Sequence, residues 1–180
     1  LSRRPVYTAI LCAAVSFGVM VLLMAPTPLA MVGCGFSDAQ ASDVIRWHVI
    51  AMFAPSFFTG SLISRFGSGN IISCGLILLG LSATTAMAGI ELGPFYVSLM
   101  LLGLGWNFGF IDATNMLNDN LAPHERSVVQ GANEILIALV ATLASFGSGV
   151  IISPFDWTTV ALMSFPMILL AFAGLFMLRR

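Results

Sequence analysis

The sequence contains no lysine, and its seven basic residues are all arginine. Charged residues make up only 8% of the chain, against roughly 25% in an ordinary soluble domain. So few charges leave too little polar surface for a soluble fold of 180 residues. With 58% hydrophobic residues and a mean hydropathy of +0.99, the chain reads as an integral membrane protein. The net charge is −1 and no basic patch exists, so no nucleic-acid partner is expected. The three cysteines, Cys12, Cys34 and Cys74, are odd in number and form no disulfide framework; they read as small apolar residues. Zinc-hydrolase and intramembrane-protease motifs are missing. Ser148 is followed by Gly149 but preceded by Phe146 where a Gly-x-Ser-Gly motif needs glycine. No enzyme, metal or cofactor is expected. No signal peptide is visible, and the start at Leu1 reads as a segment of something longer.

What the chain does have is long apolar runs. A spanning helix needs about 20 such residues, and six runs qualify: 6–31, 44–63, 71–90, 95–117, 128–152 and 157–178. The connections between them are short and polar or rich in glycine and proline. Lipid tolerates no unpaired backbone, and the runs do not alternate as barrel strands would, so helices are expected throughout. The fold class is therefore an all-α membrane protein, one six-helix domain over residues 1–180.

Arginine sets the orientation. With six alternating helices, Arg3, Arg4, Arg65, Arg126, Arg179 and Arg180 fall on one side and only Arg46 on the other. The positive-inside rule places the first group, and both termini, in the cytoplasm. Asp38, Asp43, Glu91 and Asp156 then lie outside. His48 and His124 fall on opposite faces and share no site. Pro26 and Pro28, Pro55 and Pro166 interrupt helices one, two and six, as static kinks or as hinges beside a cavity. Trp47, Trp157 and Tyr96 sit near segment ends, as in an interfacial belt. Ser42 is the expected N-cap of helix two. Gly105 and Gly109 have the spacing of close helix packing.

Only the stretch from Gly103 to Glu134 carries carboxylates well inside apolar segments: Asp112 in the fourth and Glu134 in the fifth. Counted from the cytoplasmic helix ends, both lie roughly 8–10 Å deep. Such groups are functional hypotheses by default. Three readings stay open: proton carriage as access alternates, a gate pairing Asp112 or Glu134 with Arg65 or Arg126 in one conformation, and acids that reach headgroups or a fixed arginine. Trp106, Asn107, Thr114 and Asn115 in helix four, with Gln130 and Asn133 in helix five, are the candidates to face a substrate cavity or to glue helices together. Met52, Phe53, Phe57 and Phe58 offer an apolar wall or a lipid-facing surface.

Helix two runs into a loop containing Gly60, Leu62, Arg65 and Gly67. This resembles the G-x-L-x-D-R-x-G-R loop of the major facilitator superfamily, with Ser64 and Ser68 in place of its acidic and second basic residues. The Gly-Trp-Asn-Phe stretch and the Pro-x-Glu-Arg turn are also similar to bacterial members. The resemblance implies helices seven to twelve of a twelve-helix transporter in a bacterial inner membrane, built as two inverted three-helix repeats. It also implies the N-terminal six-helix half as partner, a small organic solute as substrate, and a cavity lined by helices one, two, four and five. A self-standing six-helix channel or a homodimeric transporter is the alternative.

Overall fold

The computed structural model describes residues 3–152 and 157–179, the side chains of Ile152 and Arg179 excepted. The expected outer turn at 153–156, with Asp156, and the terminal Arg180 lie outside the described residues. Among the described residues every regular element is a helix. Five helices are long and apolar enough to cross a membrane, and a bent pair makes a sixth span.

The first span comprises α1 (Arg4–Met24) and α2 (Thr27–Gly33). Pro5 opens α1, where its missing N–H costs nothing. At the Pro26 break the Thr27 hydroxyl donates to the Leu23 carbonyl at 2.7 Å. The second span is α3 (Asp38–Phe53) and α4 (Ser56–Phe66), bent by 42°. Pro55 supplies the break. This helix starts earlier than its hydropathy indicates, because Ser37 and Gln40 form a reciprocal capping box. Ser42 is thus an interior residue of α3, and Asp38 and Asp43 are helical rather than loop residues.

Gly67 has φ 78°, a left-handed value that favours glycine, and it turns the chain into α5 (Ser68–Met87). The fourth span is α6 (Leu92–Trp106), a π-helical turn (Asn107–Ile111) and α7 (Asp112–Asp119). Then follow α8 (Arg126–Ile152), α9 (Trp157–Leu162) and α10 (Ser164–Arg179).

Helices α5 and α6 pack most extensively, followed by α3 on α6 and α1 on α8. Between α5 and α6, Ser82 and Ser98 each donate to the other's main-chain carbonyl, at 2.8 and 2.9 Å. Gly75, Gly105 and Gly109 let backbones meet where α5 crosses the π turn: a Cβ on Gly75 would sit 2.9 Å from the Gly105 carbonyl oxygen and closer still to Gly109. Trp157 does not serve an outer belt; it is buried beside Phe95, with ring centroids 5.6 Å apart. By contrast α8 keeps most of its length exposed, including Leu139, Leu143, Phe146 and Val150.

Candidate functional site

The break at Pro55 and the π turn face each other, and Asn107 joins them. Asn107 is fully buried. Its Nδ2 donates to the Met52 carbonyl and to the Ser56 hydroxyl, both at 2.7 Å. A carbonyl only accepts, so this contact fixes the orientation of the amide. The Thr59 hydroxyl donates to Asn107 Oδ1 at 2.8 Å. The amide therefore satisfies polar groups on both sides of the break in the second span. A broken helix inside a membrane persists only where neighbouring groups re-satisfy its backbone.

Next to Asn107 lies a group of four rings. Trp106 stacks on Phe110 with centroids 5.0 Å apart and planes 17° from parallel. Phe17 of α1 meets Phe110 at 5.3 Å and Trp106 at 6.3 Å. Phe53, the last residue of α3, meets Trp106 edge-on at 6.1 Å. Trp106 is 7% exposed and its indole N–H has no hydrogen-bond partner. Phe53 is 55% exposed.

Asp112 is fully buried just past the π turn. Neither carboxylate oxygen has a well-formed hydrogen bond, although the Ser68 hydroxyl at the start of α5 and the Asp119 charge lie within electrostatic reach. Glu134 is exposed on α8. Arg65 is exposed and lies 5.3 Å over the Phe66 ring, and Arg126 is exposed at the start of α8. The ion pairs among the described residues are instead Arg3 with Glu125 and Arg46 with Asp43. No pairing of Asp112 or Glu134 with Arg65 or Arg126 is made in this conformation.

Gln130 donates to Asn118 and ties α8 to α7 across the turn. Asn133 is buried at 2% exposure, with its Oδ1 unpaired. Asn115 is exposed, and the Thr114 hydroxyl donates to the Phe110 carbonyl at 2.9 Å. His48 is fully buried, with Nδ1 2.8 Å from the Leu99 carbonyl, which places the proton on Nδ1. The structure thus gathers Trp106 and Asn107 into one site with Ser56, Thr59, Phe17 and Phe110. Sequence reading missed these last four, since each is a common residue of an apolar helix; only the nearby Pro55 marked the place. In the loop resembling the family motif, Gly60 and Leu62 lie on α4, Arg65 in its last turn, and Gly67 at the junction.

The family model described as Major Facilitator Superfamily matches residues 6–180. The chain belongs to the major facilitator superfamily. It is 44% identical over 160 residues to the riboflavin transporter RfnT of Brucella anthropi, an alignment covering 89% of this chain and 40% of that protein. Two Bacillus subtilis relatives, the uncharacterized MFS-type transporters YdeG and YddS, are 36% and 32% identical over 146 residues, 80% of this chain and 34% of theirs. The chain thus spans well under two thirds of each of these relatives. The all-helical architecture with five to six spans agrees with a superfamily half, and superfamily membership makes this an integral membrane protein of a transporter family rather than an enzyme.

Proposed function

We propose that this chain is the C-terminal six-helix half of a twelve-helix secondary transporter that carries riboflavin, or a closely similar flat heteroaromatic solute, by alternating access. The observation that carries the reading is the 44% identity to a riboflavin transporter across 89% of the chain. Two features of the fold support it. The ring cluster at Trp106 lies near the middle of three spans, the depth at which such transporters hold substrate. The exposed apolar length of α8 is a face that an N-terminal half would cover. The arginine distribution supports a reading in which both termini lie on the cytoplasmic side of a bacterial inner membrane.

Asp112 is the group on which proton coupling would rest. A buried carboxylate without an ion-pair partner is costly in an apolar surround. The gate reading of Asp112, Glu134, Arg65 and Arg126 requires a second conformation in which the pairs close. The decisive test is riboflavin uptake by the full-length protein in a bacterial host that neither makes riboflavin nor imports it. Growth on low riboflavin and accumulation of labelled riboflavin are expected. Absence of both, with the protein present in the membrane, would refute the substrate reading.

A further inference from the structure

We propose that Phe17, Phe53, Trp106 and Phe110 form a stacking wall that recognises the planar ring system of the substrate. The proposal rests on the reading above that the solute is flat and heteroaromatic. The rings come from separate elements: one from α1, one from the end of α3, one from the end of α6 and one from within the π turn. Trp106 links all four, with each of the other three centroids within 6.3 Å of its own.

The wall is built rather than incidental. In the π turn the chain widens, and π turns recur at functional sites. Here it stacks Trp106 and Phe110 face to face, so that a further planar ring would extend the stack from the half-buried Phe110 rather than from the buried Trp106. Phe53 ends α3 at the Pro55 break, and Asn107 grips the carbonyl of Met52, the residue before it. One side-chain amide therefore fixes the spacing between the two parts of the wall. Phe53 remains 55% exposed, and Phe17 and Phe110 are half-buried, so the cluster is open on one side. The indole N–H of Trp106 is a buried donor without a partner among otherwise apolar rings. Leaving such a donor unmade is unfavourable, and ring packing alone does not require an indole there; a phenyl ring would avoid the penalty. A tricyclic isoalloxazine bears carbonyl and ring-nitrogen acceptors on one edge, which supplies the matching chemistry. Stacking uses the faces of the aromatic wall, and the indole N–H discriminates between rings that carry acceptors and plain hydrocarbons.

The test uses the purified full-length protein and the fluorescence of riboflavin, with lumichrome (the ring system without the sugar chain) and ribitol (the chain without the ring) as competitors. Lumichrome competes and ribitol does not, if the wall carries recognition. Phe53→Leu and Phe110→Leu weaken riboflavin binding by about tenfold each, and Phe110→Tyr restores it. Leu169→Ala, at an exposed side chain on α10, leaves binding unchanged. Trp106→Phe keeps stacking but lowers the preference for riboflavin over a plain polycyclic hydrocarbon. Wild-type affinity in both leucine variants, with correctly folded protein by size exclusion, overturns the wall; so does competition by ribitol alone. A protein that binds lumichrome through these residues yet carries no riboflavin would overturn the riboflavin assignment and keep the wall. One that binds neither compound overturns both.

Discussion

Asn107 donates to the main-chain carbonyl of Met52 across 2.7 Å, from the π turn of one span to the broken end of another. Removing the amide leaves that carbonyl and the Ser56 hydroxyl short of their buried partner, while the Thr59 hydroxyl still has the Pro55 carbonyl at 2.9 Å. Asn107→Ala is expected to cost about 1–3 kcal/mol. Asn107→Asp is expected to be at least as harmful, because a carboxylate faces the Met52 carbonyl where the amide donated. Thermal unfolding of the full-length protein in detergent reads both. An unchanged midpoint in Asn107→Ala would show that the bend at Pro55 holds without the latch.

Gly75 and Gly80 lie five positions apart on α5 but meet different surroundings. A methyl on Gly75 would press into the backbone of Gly105 and Gly109, whereas one on Gly80 meets nothing within 4 Å. Gly75→Ala should therefore destabilise by about 1–3 kcal/mol through overpacking, and Gly80→Ala should be neutral. The same unfolding assay checks the pair, and equal behaviour of the two variants contradicts the close approach of α5 to the π turn.

Arg3 donates to Glu125 at 2.8 Å, joining the start of α1 to the turn before α8. The arginine holds the Glu125 carboxyl below its ordinary value of 4.5. The folded value is depressed, so the pair's contribution is present above the unfolded value and disappears as pH falls below it. The stability difference between wild type and Glu125→Gln should be steady from neutral pH to about pH 5, shrink in acid, and shrink with added salt at neutral pH. A difference that grows on acidification would contradict the ion pair.

Asp112 and Glu134 separate in their surroundings: the first is fully buried and the second exposed. If Asp112 carries the coupling proton, Asp112→Asn loses accumulation driven by a pH gradient yet still exchanges riboflavin across the membrane without one. Glu134→Gln keeps both. Loss of exchange as well as accumulation in Asp112→Asn would favour the gate over proton carriage. Normal accumulation with both changes removes the coupling role altogether.

Much of the architecture was legible in the sequence because the bilayer imposes it locally. Run length, the scarcity of charge and the siting of arginines are properties of single segments, and six spans follow from them without any knowledge of packing. The loop through Gly60, Leu62, Arg65 and Gly67 carried the family. Helix ends were less legible. The Ser37–Gln40 capping box begins α3 ahead of its apolar run, since a cap depends on backbone donors and not on hydropathy.

The candidate site divides along the same line. Asn107 and Trp106 could be singled out because polar and indole groups are unusual at mid-span, and Pro55 marked a break. Nothing in the sequence pairs Asn107 with Met52, Ser56 and Thr59, or sets Phe17 beside Phe110, because those contacts join residues about 50 to 90 positions apart. By itself the sequence determined what the bilayer demands of each segment, a helical span, and the family to which the spans belong. Which glycines meet, which carboxylate is buried and which rings converge were decided only by tertiary packing, where the distance between side chains depends on how whole helices cross.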